Sequence, residues 1–303
     1  MANKRIAVIT MAYNDDFKFS EWYDWYLEYK DDIALHVVVD NGSEQPFVQK
    51  IKEYFKDSVI IERDSNGGCT AAYNDGIKYV LTRNDIDAIA LIGKDIRLKK
   101  GWFDAAEKLL YSKENYGVVG GVVLKKDSDE IECFGDTLNC IGVPKFNYIH
   151  GHISDLPDTL EVSYVGGGCN LAKREFYEKV GLQDTSFFMY NDEIDMYYRA
   201  KAAGYIEAVT KDAVAWHQHV PYVSKKDLTG HMAYLNGRNR VVIIKRYLGF
   251  WKGACMFLYM LSIETLVFLR DIKDAKTRKR YFSKWRGFIQ GFKGNMDNSF
   301  MNE

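Results

Sequence analysis

Residues 35–43 read Leu-His-Val-Val-Val-Asp-Asn-Gly-Ser, a mostly apolar, β-branched run that ends in a polar turn sequence. Such a run is typical of a buried strand, and Asp-Asn-Gly-Ser favours a turn from a strand into a helix. The first half of the chain repeats this alternation, with predicted strands at 5–10, 35–40, 59–62 and 88–92 and predicted helices at 20–30, 46–56, 70–81 and 102–111. The pattern predicts an α/β domain with a mostly parallel sheet and helices on both faces.

After residue 116 the chain changes to short strand-like pieces separated by turns. Strands are expected at 117–124, 132–139 and 162–165, and helices at 173–180 and 191–203. These pieces indicate a second, more antiparallel layer.

Composition and charge exclude several classes of protein. The chain has 303 residues, 47% of them hydrophobic, which is enough for a core and excludes disorder as the dominant state. A formal net charge of −1 gives no overall field that favours nucleic acid. The five cysteines form no Cys-x-x-Cys pair, and the first 14 residues contain no signal-peptide pattern. A reduced, cytoplasmic protein is the expectation.

Polar side chains follow the predicted strands at the edge where an open α/β sheet binds ligands. Thr10, Tyr13 and Asn14 come at the end of the first strand, and Asp40 ends the second. Their carboxylate, amide and hydroxyl groups suit a pyrimidine base or a ribose. Ordinary turn chemistry explains the Asp-Asn-Gly-Ser sequence equally well.

A glycine pair precedes the third predicted helix, in the stretch Asn66-Gly67-Gly68-Cys69-Thr70. Glycines allow backbone N–H groups to approach a diphosphate, and a helix N-terminus favours an anion. The stretch matches neither the dinucleotide-binding fingerprint nor the Walker loop, which disfavours nicotinamide and P-loop enzymes. Close packing of a helix on the sheet is the alternative explanation for the small residues.

Asp95 follows the fourth predicted strand and is a candidate to face a divalent cation and donor phosphates. Mg²⁺ or Mn²⁺ takes oxygen ligands, usually one or two carboxylates with phosphate oxygens and water. His217 is a candidate second ligand, and His219 is the competing choice.

Asp192, Glu193 and Asp195 begin a predicted helix, and Arg199 follows them. On a helix Asp192, Asp195 and Arg199 share one stripe, whereas Glu193 projects about 100° away. One carboxylate can therefore serve an acceptor while another is held by Arg199. Acids in a first helical turn also stabilise the helix dipole, and Asp195 with Arg199 is an i,i+4 pair, so a purely structural role explains part of the cluster.

The C-terminal part differs in character from the rest. Residues 253–269 are apolar except for Glu264, and both flanks are basic. A buried helix is the simplest interpretation, a helix at an anionic membrane surface is the alternative, and a membrane-spanning helix is marginal at this length. The expected division is a domain at 1–245 and a helical, basic and apolar extension at 246–303.

Taken in order, the motifs resemble those of the family 2 inverting glycosyltransferases of GT-A fold, a Rossmann-like nucleotide-binding fold. The rhamnosyltransferase-like branch, which acts on bacterial surface polysaccharides, is the most similar. The resemblance covers about residues 4–245 and continues less specifically to about 295. The motifs are ITMAYN, VVVDNGS, NGGCTAAYNDG, LIGKD, VGGGCNLAKREFYEKVG, NDEIDMYYRAKAAGY, WHQH and NGRNRVVIIKRY.

The resemblance implies roles for the matching residues. Thr10, Tyr13 and Asp40 would hold the nucleoside, with Asn66 and Gly67 beside it. Asp95 would be the remaining acid of the metal signature, which here reads Gly93-Lys94-Asp95, so that Lys94 could supply positive charge near the diphosphate. His217 would join the metal.

The acidic motif also departs from the family pattern, because its two leading acids are exchanged. Glu193 occupies the position of the general base, and Asp192 is the alternative. Gly167, within Gly166-Gly167-Gly168, would let the backbone approach the donor or the acceptor.

The resemblance therefore implies an inverting transferase that moves a sugar from a UDP or dTDP donor, including dTDP-rhamnose, to a saccharide hydroxyl with Mn²⁺ or Mg²⁺. A lipid-linked acceptor would suit the apolar tail, which could instead mediate homodimerisation. A sugar nucleotidyltransferase is a weaker alternative, because the stretch after the first strand is acidic. A non-catalytic nucleotide- or sugar-binding module derived from a transferase is the other alternative, favoured by the altered Gly93-Lys94-Asp95.

Overall fold

The computed structural model describes residues 5–14, 19–218 and 229–299. The strands are β1 Ile6–Ala12, β2 Leu35–Asp40, β3 Val59–Glu62, β4 Ala88–Ile92, β5 Ile96–Leu98, β6 Tyr116–Lys125, β7 Ile131–Cys133, β8 Asp136–Leu138, β9 Pro144–Phe146, β10 Thr159–Val162, β11 Cys169–Lys173 and β12 Ile206–His217. The helices are α1 Phe19–Tyr29, α2 Gln45–Tyr54, α3 Gly68–Leu81, α4 Trp102–Leu110, α5 Arg174–Val180, α6 Asp192–Ala202, α7 Thr229–Ile243, α8 Gly249–Arg270 and α9 Ala275–Lys293.

The N-terminal half forms the predicted parallel sheet. Strand β1 pairs in parallel with both β2 and β4, and β2 pairs in parallel with β3. The carboxyl ends of β1, β2 and β4 therefore lie at one edge, which brings the residues after them together. The α/β fold class is confirmed, with α1, α2 and α4 covering one face of the sheet and α3, α5 and α6 the other.

The second half does not form a separate layer, which corrects the sequence-based expectation. Within the described residues, one sheet has the order β10-β12-β6-β11-β4-β1-β2-β3, with β5 on β12 and β7 on β6. Strand β11 joins the halves, because it pairs antiparallel with both β4 and β6. Only the β8–β9 hairpin forms a second small sheet in the described part of the chain.

Helices α7, α8 and α9 form the C-terminal region. A π-helical turn at Ile244–Leu248 joins α7 to α8, so residues Gly230–Arg270 form one long helical segment. Helix α9 packs so closely on α7 that a side chain on Gly287 would lie 2.2 Å from the Tyr234 carbonyl oxygen. The predicted boundary at residue 245 falls inside the long segment and stays a prediction.

The interpretation of the apolar tail as a buried helix is wrong. Only Gly253 and Met256 of α8 are buried. Phe250, Trp251 and Leu266 are 77%, 79% and 63% exposed. The described residues contain one helical segment, Gly230–Arg270, that is long and apolar enough to cross a membrane by length and composition alone.

Candidate active site

Asp40 lies at the centre of the predicted nucleoside-binding edge. The carboxylate is buried, and its Oδ2 accepts hydrogen bonds from the N–H groups of Gly42 and Ser43 at 3.2 and 3.1 Å. Its Oδ1 is buried and has no hydrogen-bond partner among the described residues. A buried acceptor without a partner costs free energy, so this atom is suited to receive a donor from a ligand.

The residues after β1 lie against the turn after β2, as predicted. Asn14 donates its N–H to the Ser43 hydroxyl at 2.9 Å, and its Oδ1 accepts from the Glu44 N–H at 2.7 Å. Tyr13 is half-buried beside them. Thr10 differs, because it is fully buried and its hydroxyl lies 3.4 Å from His36 Nε2 inside the core. Its side chain is therefore turned away from the edge.

The N–H groups of Gly67, Gly68 and Thr70 have hydrogen-bond partners within the protein. The Asn66 side-chain oxygen accepts from Asn41 Nδ2 and from the Gly68 N–H, and the Gly67 N–H donates to Asn41 Oδ1. The Thr70 N–H points to the Phe188 carbonyl oxygen at 3.4 Å. These N–H groups already have protein partners, which corrects the expectation that they would be open to a diphosphate.

Gly68 has a φ of +79°, and a side chain there would lie 2.2 Å from the Phe188 oxygen. Only glycine fits this position. It brings the start of α3 against the segment that precedes α6.

Asp95 and His217 converge, as predicted, although 122 residues separate them in sequence. His217 Nε2 lies 3.2 Å from Asp95 Oδ2, and Nδ1 lies 2.7 Å from Glu132 Oε1. Burial would lower the pKa of His217, but its hydrogen bonds to the two carboxylates raise the pKa to about 10. Burial would raise the pKa of Asp95, but the bond to His217 holds that pKa below its usual value. His219 lies outside the described residues.

These residues fit a divalent cation as a partial ligand set. No group of three or more His, Cys, Asp or Glu among the residues described forms a complete metal site. A carboxylate and an imidazole that converge on one point, with a second carboxylate behind the imidazole, nevertheless form the arrangement that orients a histidine ligand. Phosphate oxygens and water commonly complete such a site.

Lys94 and Arg97, which flank Asp95 in the sequence, differ in their placement. The Lys94 charge interacts with Asp95 and favours the ionised carboxylate. Arg97 lies on β5, where its guanidinium binds Glu28 through contacts of 2.8 and 3.2 Å. The Arg97 side chain is therefore held by α1.

Asp192 and Glu193 begin α6 beside the glycine turn that precedes β11. A side chain on Gly167 would lie 2.7 Å from Glu193 Oε1, so the absence of that side chain makes room for the carboxylate. Asp192 is 5% exposed, and its Oδ1 has no hydrogen-bond partner among the described residues. Glu193 is half-buried and thus reachable from the site.

The carboxyl groups of Asp192 and Glu193 interact, and their surroundings affect the two pKa values differently. Burial raises the pKa of both. Their mutual hydrogen bond raises the pKa of Asp192 and lowers that of Glu193. Asp192 therefore holds a proton in preference to Glu193, because like charges this close resist joint ionisation.

Asp195 has a structural role in the described structure. Its Oδ2 accepts from Arg199 Nε at 2.9 Å, which confirms the predicted i,i+4 pair. Its Oδ1 accepts from Arg246 Nη1 and the Tyr247 hydroxyl at 2.9 and 2.7 Å. Asp195 therefore joins α6 to the π-helical turn.

The segment before α6 is strained, since Phe188, Tyr190 and Asn191 have φ values of 66°, 69° and 64°. Non-glycine residues adopt this conformation only where their surroundings enforce it. Asn239, fully buried on α7, donates Nδ2 to the carbonyl oxygens of Phe187, Met189 and Tyr190 at 2.9–3.0 Å. We call residues 186–191 the α6 entry loop, and Asn239 is its main support.

Arg238 adds a second support and connects the loop to the C-terminal tail. It is fully buried, and its Nη2 donates to the Ser186 oxygen at 3.1 Å. Its Nη1 donates to Asp297 O and Asn298 Oδ1 at 3.1 and 2.8 Å. Asn298 Nδ2 in turn donates to the Ser186 oxygen at 3.1 Å.

The pair of Asp95 and His217 and the pair of Asp192 and Glu193 lie near the same edge of the sheet. The Gly93 N–H, two residues before Asp95, donates to the Gly168 oxygen at 2.7 Å, next to the glycine that Glu193 contacts. The Tyr73 hydroxyl interacts electrostatically with both Asp95 and Asp192 and lies close to Gly168. The structure therefore brings the predicted metal ligands and the predicted base together.

Sequence reasoning missed several residues of this site. Glu132 lies in none of the motifs, and the pairing of β7 with β6 brings it to His217. Tyr73 lies within NGGCTAAYNDG but was not singled out. Arg240 on α7 interacts with Glu193, and its buried Nη1 has no hydrogen-bond partner among the described residues. The charges within NGRNRVVIIKRY were a signal that this helix serves the site.

This fold and site are those of a glycosyltransferase. A model of glycosyl transferase family 2 matches residues 31–181, about half of the chain. The chain belongs to this family. Its similarity to a rhamnosyltransferase and a hexosyltransferase makes it rhamnosyltransferase-like.

The low-salt glycan biosynthesis hexosyltransferase Agl10 of Haloferax volcanii is 25% identical over 215 residues, 69% of this chain and 66% of that protein. The N-acetylglucosaminyl-diphospho-decaprenol L-rhamnosyltransferase of Mycobacterium tuberculosis is 26% identical over 97 residues, 32% of this chain and 31% of that protein. The chain thus spans slightly less than two thirds of one relative and about a third of the other.

Solved structures show the same fold. GalNAc-T7 with UDP, GalNAc and Mn²⁺ aligns over 96% of this chain and 56% of its own, with a TM-score of 0.65 at 12% identity. The mannosyltransferase PcManGT of Pyrobaculum calidifontis, in complex with GDP-Man and Mn²⁺, aligns over 97% and 88%, with a TM-score of 0.55 at 14% identity.

Proposed function

We propose that this glycosyltransferase inverts configuration as it moves a sugar from a UDP or dTDP donor, including dTDP-rhamnose, to a saccharide hydroxyl in surface polysaccharide synthesis. One observation carries the proposal. The Glu193 carboxylate lies against the Gly167 backbone beside the buried Asp192, next to the turn that holds Asp95.

In this mechanism Glu193 accepts the proton of the acceptor hydroxyl as the oxygen attacks the anomeric carbon. A general base needs to reach that proton directly, and Glu193 is the more exposed of the two carboxyls. Asp192 holds its own proton and orients Glu193. A single displacement from the face opposite the diphosphate inverts the anomeric configuration.

The leaving diphosphate gathers negative charge, which Asp95 and His217 would neutralise by holding Mn²⁺ or Mg²⁺. Such a cation supplies Lewis-acid stabilisation of the departing phosphate oxygens. Glu132 keeps the His217 ring in place through its 2.7 Å contact with Nδ1. The Lys94 charge adds to the positive field near Asp95.

Asp40 supports the choice of a pyrimidine donor. Its unpartnered Oδ1 is buried at the nucleoside edge and can accept an N–H from uracil or thymine. Tyr13 and Asn14 lie beside this position and would contact the nucleoside, whereas the turned-away Thr10 would support the strand.

The acceptor is proposed to be a saccharide, free or lipid-linked. The Mycobacterium tuberculosis relative is named for a diphospho-decaprenol acceptor, which supports the lipid-linked form. The enzyme would then work in the cytoplasm, at the inner face of the membrane. A homodimer through the C-terminal helices is the alternative use of that region.

Nucleotide binding tests the proposal directly. Thermal shifts are measured with UDP, dTDP and GDP and their sugar conjugates, with and without Mn²⁺, on wild type and Asp95→Ala. A ligand at 100 times its dissociation constant stabilises the folded state by about 2.7 kcal/mol, so binding is visible. A Mn²⁺-dependent shift with one pyrimidine nucleotide, lost in Asp95→Ala, is expected. No shift with any nucleotide would contradict the proposal.

A further inference from the structure

Helix α8 presents an apolar stripe to solvent. Every residue of the stripe is exposed, and successive members recur on one side of the helix at spacings of three, four and seven. Its members are Trp251, Cys255, Leu258, Tyr259, Ser262, Ile263, Leu266 and Leu269. The stripe continues over almost the whole length of α8, and the basic residues Lys252 and Arg270 lie near its two ends. An exposed apolar surface of this extent marks an interaction site.

Helix α9 covers the opposite side of α8. Phe257 packs against Phe288 and Phe292, and Phe268 stacks on Tyr281 at 4.2 Å between ring centroids. The two helices therefore form an antiparallel hairpin. Because α9 covers only the inner side of α8, the stripe faces away from it.

Glu264, the acid that interrupts the apolar sequence, lies on the inner side. Its Oε1 lies 2.5 Å from Lys284 Nζ of α9, and its Oε2 lies 4.0 Å from Arg280. The Glu264 side chain is only 13% exposed. The outward stripe therefore contains no carboxylate, although α8 does.

Charge selects the partner of this surface. Helix α9 contains seven Lys and Arg residues and no Asp or Glu. Lys276, Arg278, Arg286 and Lys293 are exposed, next to the exposed Phe282, Ile289 and Phe292. These α9 charges lie behind the stripe, whereas the exposed Lys252 and Arg270 of α8 lie beside its two ends. Apolar side chains with excess positive charge match the interface of an anionic bilayer.

We propose that the α8–α9 hairpin docks on the surface of an anionic lipid bilayer, with the α8 stripe inserted at the level of the headgroups. The hairpin lies along the surface and does not cross it. A spanning α8 would take Arg280, Lys284 and Arg286 of its partner helix into the hydrocarbon, which is costly for charged groups. This docking is separate from the transfer reaction and does not depend on it.

Vesicle flotation tests the docking without donor or acceptor. The full chain is mixed with vesicles of phosphatidylcholine containing about 30% phosphatidylglycerol, or with phosphatidylcholine alone, at two salt concentrations. Binding to the anionic vesicles is expected to be at least about tenfold stronger and to weaken with salt. Equal binding to both vesicles, or to neither, would overturn the proposal.

The double variant Leu258→Glu with Leu266→Glu places two charges on the stripe. Both residues are at least 60% exposed, so the fold and melting temperature should persist while vesicle binding falls at least about tenfold. Phe146→Glu is the matched control, since Phe146 is 60% exposed on β9 and should leave binding unchanged. Unchanged vesicle binding by the double variant would contradict the proposal. If light scattering also showed a dimer becoming a monomer, the stripe would be a subunit interface.

Discussion

Two pairs of carboxylates lie at the site in opposite electrostatic surroundings. Asp95 and Glu132 flank His217, and the bond to His217 holds the pKa of Asp95 below its usual value. Asp192 and Glu193 interact with each other, and burial raises the pKa of both. The bond to His217 thus lowers the pKa of one carboxyl, whereas burial raises the pKa of the other two.

This difference assigns the pairs to different tasks. Carboxylates that stay ionised suit a cation, whereas a carboxyl with a raised pKa suits proton transfer near neutral pH. Asp195 is a third case within the same helix, because three hydrogen bonds engage its two oxygens. The local surroundings thus give different properties to acids that look equivalent in the sequence motif.

The largest effect is expected from Glu193→Gln. The amide cannot accept the proton of the acceptor, so kcat should fall about 10²- to 10⁴-fold. Donor binding, measured by thermal shift, should persist because the fold and the Asp95 pair are intact. Glu53→Gln is the control, since Glu53 is exposed on α2. Full activity in Glu193→Gln would remove the proton-transfer role from this residue.

Glu132→Gln tests the other pair. The loss of the carboxylate behind His217 should weaken Mn²⁺ affinity about 10- to 100-fold, as for other supporting partners of histidine ligands. Titration calorimetry with Mn²⁺ and nucleotide measures this change without turnover. Asp129→Asn alters an exposed acid two residues before β7 and should bind Mn²⁺ normally. Equal affinities in the two variants would show that Glu132 does not orient His217.

Asn239→Ala tests whether the activity of the Asp192–Glu193 pair depends on the α6 entry loop. Three carbonyl oxygens of the α6 entry loop lose their donor, at a cost of about 1–3 kcal/mol for each acceptor left buried and unsatisfied. Chemical denaturation should report the lower stability, and kcat should fall more than donor affinity. Asn236→Ala, on the same helix, is the control. A stability loss with unchanged kcat would separate the loop from catalysis.

The pH dependence of kcat/KM sharpens the comparison further. Burial raises the pKa of Glu193, and Asp192, Asp136, Tyr164, Glu207, Cys69, Cys133 and Arg240 are the titratable groups that interact with it. Below its pKa Glu193 is protonated and cannot act as a base, so activity should fall as pH falls. The acid limb should lie above the ordinary glutamate range. A limb at or below that range would contradict the assignment.

The smallest effect is expected from Asp192→Asn. The amide keeps a donor toward Glu193, so kcat should fall less than about tenfold if Asp192 only supplies a proton to that hydrogen bond. Single-turnover assays compare it with Glu193→Gln. A larger loss in Asp192→Asn than in Glu193→Gln would exchange the two roles.

Much of the fold is predictable because the first half uses short elements with clear boundaries. The predicted helix at 102–111 and the observed α4, Trp102–Leu110, differ by one residue. Strands β11 and β12 were missed. All five residues of β11 are buried, so alternation between apolar and polar positions gives no signal there.

The site was predictable in its residue types but not in its contacts. The acids at the start of α6 follow from position and spacing, and the pairing of Asp95 with His217 follows from the family resemblance. The partners of Asn66 and Gly67 do not, because Asn41 reaches them through tertiary packing. The exposure of α8 was also hidden, since an apolar sequence does not reveal whether another element covers it.

The connection from Asn298 through Arg238 to Ser186 makes two distant parts of the chain one unit of local unfolding. When residues 297 and 298 detach, Arg238 loses two acceptors and Ser186 loses a donor, so the α6 entry loop opens more often. Amide hydrogen exchange in that loop should therefore speed up when Asn298 is replaced by alanine. The tail sets how long Glu193 stays in its working position between openings.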